Sequence, residues 1–167
     1  TINNPLQEEF RLQDFKLLKV GFGDTTIQLP PSSTIDRTYG LGPEYNNNNL
    51  RINAGVDVVN HKVFWRLTTI NPQTGTKPAD PNAGFLPPND STGQGEGFVK
   101  YAIKLEDSVK QGTKINNKAA IIFDQAEVIK TNTWTNVVGS SDPQSQVKKL
   151  PEKLDTTRFK VSWTGID

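Results

Sequence analysis

Five side chains carry the oxygens that a hard cation would want. Asp80, Asn82, Asn89 and Asp90 fall in one proline-rich stretch, "INPQTGTKPADPNAGFLPPND" (70–90), and Asp124 ends "AAIIFD" (119–124). Calcium takes six to eight such ligands, from carboxylates, amides and backbone carbonyls. A calcium ion is therefore the one cofactor that these residues could hold. Their spacing is not the regular alternation of an EF-hand loop. The plainer reading is that Asp and Asn cap turns with their own side chains.

Other chemistry finds little support. There is no cysteine and a single histidine, His61, so thiolate metal sites and disulfides are excluded. His61 follows Asn60 where a hairpin turn is expected, a poor place for the base of a catalytic triad. Glu96, Glu106, Asp107, Asp124 and Glu127 could in principle run glycoside hydrolysis, but nothing places two of them across a cleft. No catalytic set emerges, and an enzyme is not expected. A lysine–asparagine isopeptide bond would need Asn117 or Asn136 buried beside a lysine and an acid, and no such lysine can be chosen. Among the aromatics, Trp65 and Tyr101 fall on core registers. Trp134 shares its side with Lys130, Asn132 and Asn136, so Trp134, with Tyr45, is the candidate surface for a glycan or a protein partner.

The elements that must position these groups read as strands. "LRINAGVDVV" (50–59) and "KVFWRLTTI" (62–70) alternate apolar and polar residues around Asn60-His61, a two-residue hairpin turn. "GFVKYAIKL" (97–105), "TKINNKAAIIFD" (113–124), "VIKTNTWTNVV" (128–138) and "TRFKVSWTG" (157–165) follow the same pattern. Weaker strands lie at 10–20 and 25–29. No stretch keeps a 3.6-residue period, so the chain should be all-β. The expected fold is an antiparallel, immunoglobulin-like β-sandwich over 1–139 with a long Pro-rich loop. In that loop Pro78, Pro81, Pro87 and Pro88 fix φ and remove donors. Phe85 and Leu86 should then plug one open end of the sandwich. "NNNN" (46–49) reads as a turn or mobile loop. Residues 140–156 read as a linker, and 157–167 as the first strand of a following or exchanged unit, too short to bury a core alone.

Composition narrows the partners. The 167 residues carry 19 basic and 18 acidic groups, a net charge of +1. Such balance argues against nucleic acid as the main partner, and no apolar run approaches the ~20 residues of a membrane span. Methionine is absent, position 1 included, which points to a processed product or fragment. The lack of Cys and Met suits an oxidising exterior.

One ordered series goes further: "INPQTG" (70–75), "DPNAGFLPPN" (80–89), "GQGEGFVKYAIK" (93–104), "GTKINNKAAIIFD" (112–124) and "TNTWTN" (131–136). It resembles a β-sandwich repeat module of very large secreted or cell-surface bacterial proteins, and the tail resembles the start of a following fibronectin- or immunoglobulin-like module. The resemblance implies a non-catalytic structural or adhesive role outside the cell. Its partners would be neighbouring modules or identical copies, joined by strand or edge pairing; a carbohydrate-binding module is the alternative. Two departures bear on calcium. Asn71 stands where the module has Asp, and Ala126-Glu127-Val128 where it has Asn-Pro-Pro.

Overall fold

The computed structural model describes residues 1–80, 82–89, 91–124 and 126–139, and the backbone of two C-terminal strands. Apart from one three-residue 3-10 turn at Pro43–Tyr45, the regular structure is all strand. The strands are β1 (Ile2–Pro5), β2 (Phe10–Phe22), β3 (Thr25–Gln28), β4 (Thr34–Gly40), β5 (Asn49–Asp57), β6 (Lys62–Ile70) and β7 (Gly97–Leu105). Then come β8 (Lys114–Asn117), β9 (Ala120–Ile121), β10 (Ile129–Lys130), β11 (Trp134–Val137), β12 (Gln144–Val147) and β13 (Trp163–Ile166).

One sheet runs β10-β9-β1-β6-β5-β4 and the other β3-β2-β7, every pair antiparallel. Each sheet turns one apolar face inward. Phe15, Leu17, Val20 and Phe22 of β2 meet Leu50, Ile52 and Ala54 of β5 and Val63 and Trp65 of β6, all at most 1 % exposed. Rings bridge the layers: Trp65 lies 5.4 Å from Tyr101 and 6.4 Å from Phe15, and Phe15 lies 5.4 Å from Tyr101. Offset and edge contacts at such distances are the favoured geometries of aromatic pairs. The protein is an all-β sandwich.

Several elements differ from their sequence pattern. The stretch 10–20 becomes the longest strand, because β2 carries irregularities between Arg11 and Lys16 and between Leu17 and Lys19. Extra residues in a strand break the alternation that reveals it. β1, "INNP", was hidden because its buried residue is polar. Asn4 is only 5 % exposed. With its amide oxygen toward the Tyr101 hydroxyl, its NH2 donates to the carbonyls of Pro5 and Lys118, both at 2.9 Å. β4 is an edge strand with one buried residue, Ile35.

The run 113–124 breaks into β8 and β9, and 128–138 into β10 and β11. Between them the Thr131 N–H donates to the Ala119 carbonyl, and the Ala119 N–H to Thr131 Oγ1. At this pinch the hairpin leaves the six-stranded sheet for a separate β8–β11 ladder. The β5–β6 connection has four residues, Val58 to His61, rather than two. Asp57 takes the side-chain and backbone N–H of Asn60, and His61 rather than Asn60 adopts the left-handed conformation, φ 45°. In the Asn run, Asn46 and Asn47 are left-handed (φ 54° and 52°) while Asn48 is buried.

Within the span read as a linker, Gln144–Val147 forms β12 and pairs antiparallel with β13. The remainder of the linker, and most of the strand expected at 157–165, lie outside the described residues.

Truncating the central ring tests this packing. Trp65→Ala is expected to cost about 3–5 kcal/mol, read from urea unfolding. A loss under about 1 kcal/mol would mean that the sheets do not depend on it.

Surface carboxylates set the response to acid. Arg51 donates Nε and Nη2 to the two oxygens of Asp36, both at 2.8 Å, and holds the Asp36 pKa below its ordinary 3.8. The Asn60 side chain, then its backbone N–H, does the same for Asp57. Both groups bind protons less readily folded than unfolded. Their contribution is therefore present above the unfolded value and lost as pH falls through the folded ones. Asp36→Asn/Asp57→Asn should have a flatter fall in unfolding midpoint between about pH 5 and 2 than the parent chain. An unchanged slope would exclude these two groups as its source.

Candidate functional site

After Ile70 the chain makes no strand until Gly97. The crossing opens with a tight turn. The Asn71 N–H donates to the Thr76 carbonyl at 2.8 Å, and Asn71 Oδ1 accepts the Gln73 N–H at 2.8 Å. The loop is then pinned twice. Asn48 Nδ2 donates to the Ala83 carbonyl at 3.2 Å, which accounts for the buried Asn48. The Phe85 N–H donates to Thr69 Oγ1 at 3.0 Å. The Phe85 ring stands edge-on to Phe22, centroids 5.1 Å apart, and Leu86 joins the same core. Phe85 and Leu86 thus cap one end of the sandwich, both half-buried.

Beside them lies a cleft of about 300 Å³. Leu67, Val99, Ile121, Phe85 and Leu86 supply apolar walls, and Lys77, Asp80 and Asp124 are its charged groups. Asp124 sits just past β9 in a left-handed conformation, φ 47°, where Asp is tolerated. Lys77 Nζ donates to Asp124 Oδ1 at 3.0 Å.

The described calcium candidates do not form one cage. Asp80 Oδ1 accepts the Asn82 N–H at 2.8 Å, a turn cap. Asn89 Oδ1 accepts the Gly95 N–H at 3.2 Å, and its Nδ2 donates to Glu96 Oε1. Asp124 is engaged by Lys77. Asp90 lies outside the described residues. The structure thus brings Asp80 and Asp124 to one cleft, with an ammonium as counter-charge. Among the described residues no three His, Cys, Asp or Glu groups gather as a metal site.

The remaining candidates are dispersed. Arg11 collects Glu106 (3.3 Å), Asp107 (2.6 Å) and Asp14 (3.8 Å) in a surface network. Trp134 is 65 % exposed on β11, its indole N–H on Asn136 Oδ1 at 3.4 Å. Tyr45 is not free: its ring packs 5.4 Å from Phe22 and its hydroxyl meets Thr25 Oγ1 at 3.1 Å. It belongs to the capped end and shares no contact with Trp134. Asn117 Oδ1 accepts from the Asn4 amide at 3.1 Å and Asn136 Oδ1 from the Trp134 indole, so both amide oxygens are occupied. Burial pushes the Tyr101 phenol above its usual 10, as expected for a core tyrosine.

Sequence reasoning missed Lys77, which neutralises Asp124, and Thr69, which anchors Phe85. Neither residue type is distinctive. Their roles come from the path of the loop.

A family model described as a domain of unknown function (DUF7619) matches residues 81–137. That stretch holds the second half of the crossing loop and β7 to β11. Neither the curated proteins nor the solved structures contain a match. No helix among the described residues is long and apolar enough to cross a membrane.

The cap and the cleft make separate predictions. Phe85→Ala should destabilise by about 2 kcal/mol, below the range for a fully buried ring, and should raise binding of an apolar dye at the opened end. An unchanged urea midpoint would show that the loop is not a cap. Because Lys77 and the backbone engage an oxygen of each of Asp124, Asp80 and Asn89, calcium at about 1 mM should leave the melting temperature unmoved. A rise of several degrees, reversed by chelator, would restore the calcium reading.

Proposed function

We propose that the chain is a non-catalytic structural and adhesive module of immunoglobulin-like type, working outside the cell as one repeat of a large bacterial surface or secreted protein. The supporting observation is a division of labour along the chain. The eight largest fully buried side chains all lie between Phe15 and Trp65. Residues 81–137 add, among the described residues, only Ile115 to the buried apolar set. Yet six of the eight exposed large apolar side chains fall there: Phe98, Phe123, Val128, Ile129, Trp134 and Val137.

A self-sufficient monomer has no need to leave so much apolar surface in its later strands uncovered. A module that meets a neighbour does. The short edge strand β10 carries Ile129, so part of that surface lies at a sheet edge. Neighbouring modules of the same polypeptide, or identical copies, are the partners that this reading names. The scattered, ion-paired acids support a surface that carries charge for solubility rather than for catalysis.

Sedimentation of the whole chain tests it. Mass should rise with concentration up to the order of 1 mM, and Ile129→Thr/Val137→Thr, which keeps β-branched residues, should reduce the rise. A monomer throughout would sink pairing between copies.

Trp134 carries the alternative, a carbohydrate-binding module, because a tryptophan 65 % exposed on a strand offers a stacking face. A fluorescence change with neutral glycans, lost in Trp134→Ala, would favour it. No response across plant, algal and bacterial glycans would count against it.

A further inference from the structure

The outer face of β3-β2-β7 carries an arrangement that core packing does not require. Register places Lys19 directly opposite Lys100, Gly21 opposite Phe98, Lys16 opposite Ala102 and Arg11 opposite Lys104. Directly opposed residues of an antiparallel pair share a face, where like charges repel. At Arg11 and Lys104 the repulsion is relieved by Asp14, Glu106 and Asp107. At Lys19 and Lys100 it is not. Among the described residues neither they nor Lys16 form an ion pair.

The strand irregularity matters here. Between Leu17 and Lys19 the register slips. Lys16 and Lys19, three apart, therefore point outward together, while Leu17 and Val20 point into the core.

Next to the lysines is a flat aromatic surface. Any Cβ at position 21 would fall 2.3 Å from Phe98 Cε1. The Phe98 ring thus lies across the Gly21 backbone, and only glycine permits that. The ring remains 48 % exposed, and Lys19 Nζ stands over it, 5.4 Å from its centroid, a cation–π contact. Gln28 sits opposite Lys19 on its other side, and Thr26 opposite Gly21, both exposed. The face carries one ring, three ammoniums without an ion pair among the described residues, an amide and a hydroxyl.

We infer that this face binds an anionic polysaccharide of the uronic-acid class. The inference rests on the adhesive reading above and names its ligand. The Phe98 ring accepts the C–H face of a pyranose when the flexible Lys19 side chain swings from over it to a sugar carboxylate. Ammoniums beside it take carboxylates as point charges, and Gln28 and Thr26 suit hydroxyls. The charge is sparse and bounded by the acids around Arg11, which suits one carboxylate per sugar better than the denser phosphates of nucleic acid.

The test is titration of the full chain with polygalacturonate, with dextran and an oligothymidylate as comparison probes. Binding to polygalacturonate is expected at low salt, falling steeply toward about 0.5 M NaCl, where screening is nearly complete. Lys19→Gln/Lys100→Gln removes a repulsive pair, so the variant should fold at least as well and bind about tenfold or more weakly. Phe98→Ala should weaken binding while leaving its salt dependence in place. Lys114→Gln/Lys118→Gln, on another part of the surface, should change nothing.

No binding, equal loss in the Lys114/Lys118 variant, equal affinity for dextran, or preference for oligothymidylate would overturn the assignment. Failure here with concentration-dependent association intact would leave the module reading standing. Loss of association with binding intact would do the reverse.

Discussion

The three rings of Phe15, Trp65 and Tyr101 are the contact on which the rest depends. They come from β2, β6 and β7 and are the point where the two sheets meet by aromatic contact. Phe15 shares a face with Val20 and Phe22 because β2 slips register between Leu17 and Lys19. Strand irregularity and core packing are therefore one feature. Without the slip between Leu17 and Lys19, the alternation that buries Val20 and Phe22 would turn Leu17 and Phe15 to the outer face.

From that centre the chain grows less buried toward its later strands. β7 offers Val99, Tyr101 and Ile103 to the core only partly covered. β9 and β10 are two residues each, and β8–β11 form their own ladder. The long crossing makes this arrangement workable. Pinned at Ala83 and Phe85, it seals the end that β7 leaves open. Its prolines lower the entropy lost on ordering.

How far the fold could be read follows from where alternation survives. β5, β6 and β7 alternate cleanly and were legible, as was the fate of Phe85 and Leu86, apolar residues stranded among prolines. β1 was not, because hydrogen bonds rather than apolar area bury Asn4. β2 was underrated because its irregularities scramble the pattern. Trp134 was legible as an outward residue from its polar company. Tyr45 was not, since only the fold brings Phe22 and Thr25 to it. The loop acids were visible as residue types, but Lys77 became their counter-charge only once the crossing loop lay beside β9. The Lys19–Lys100 opposition was also invisible, since register is a property of two strands and not of either alone.

The placement of β1 has a mechanical side. It lies inside the six-stranded sheet, laddered to β6 along one edge and β9 along the other. Tension entering through Thr1 is shared between two rows of hydrogen bonds. At the opposite end β11 is held, among the described residues, by β8 alone, along four residue pairs. Stretched between those points, the domain would let go from its C-terminal side first, and the aromatic centre would be the last part to feel the load.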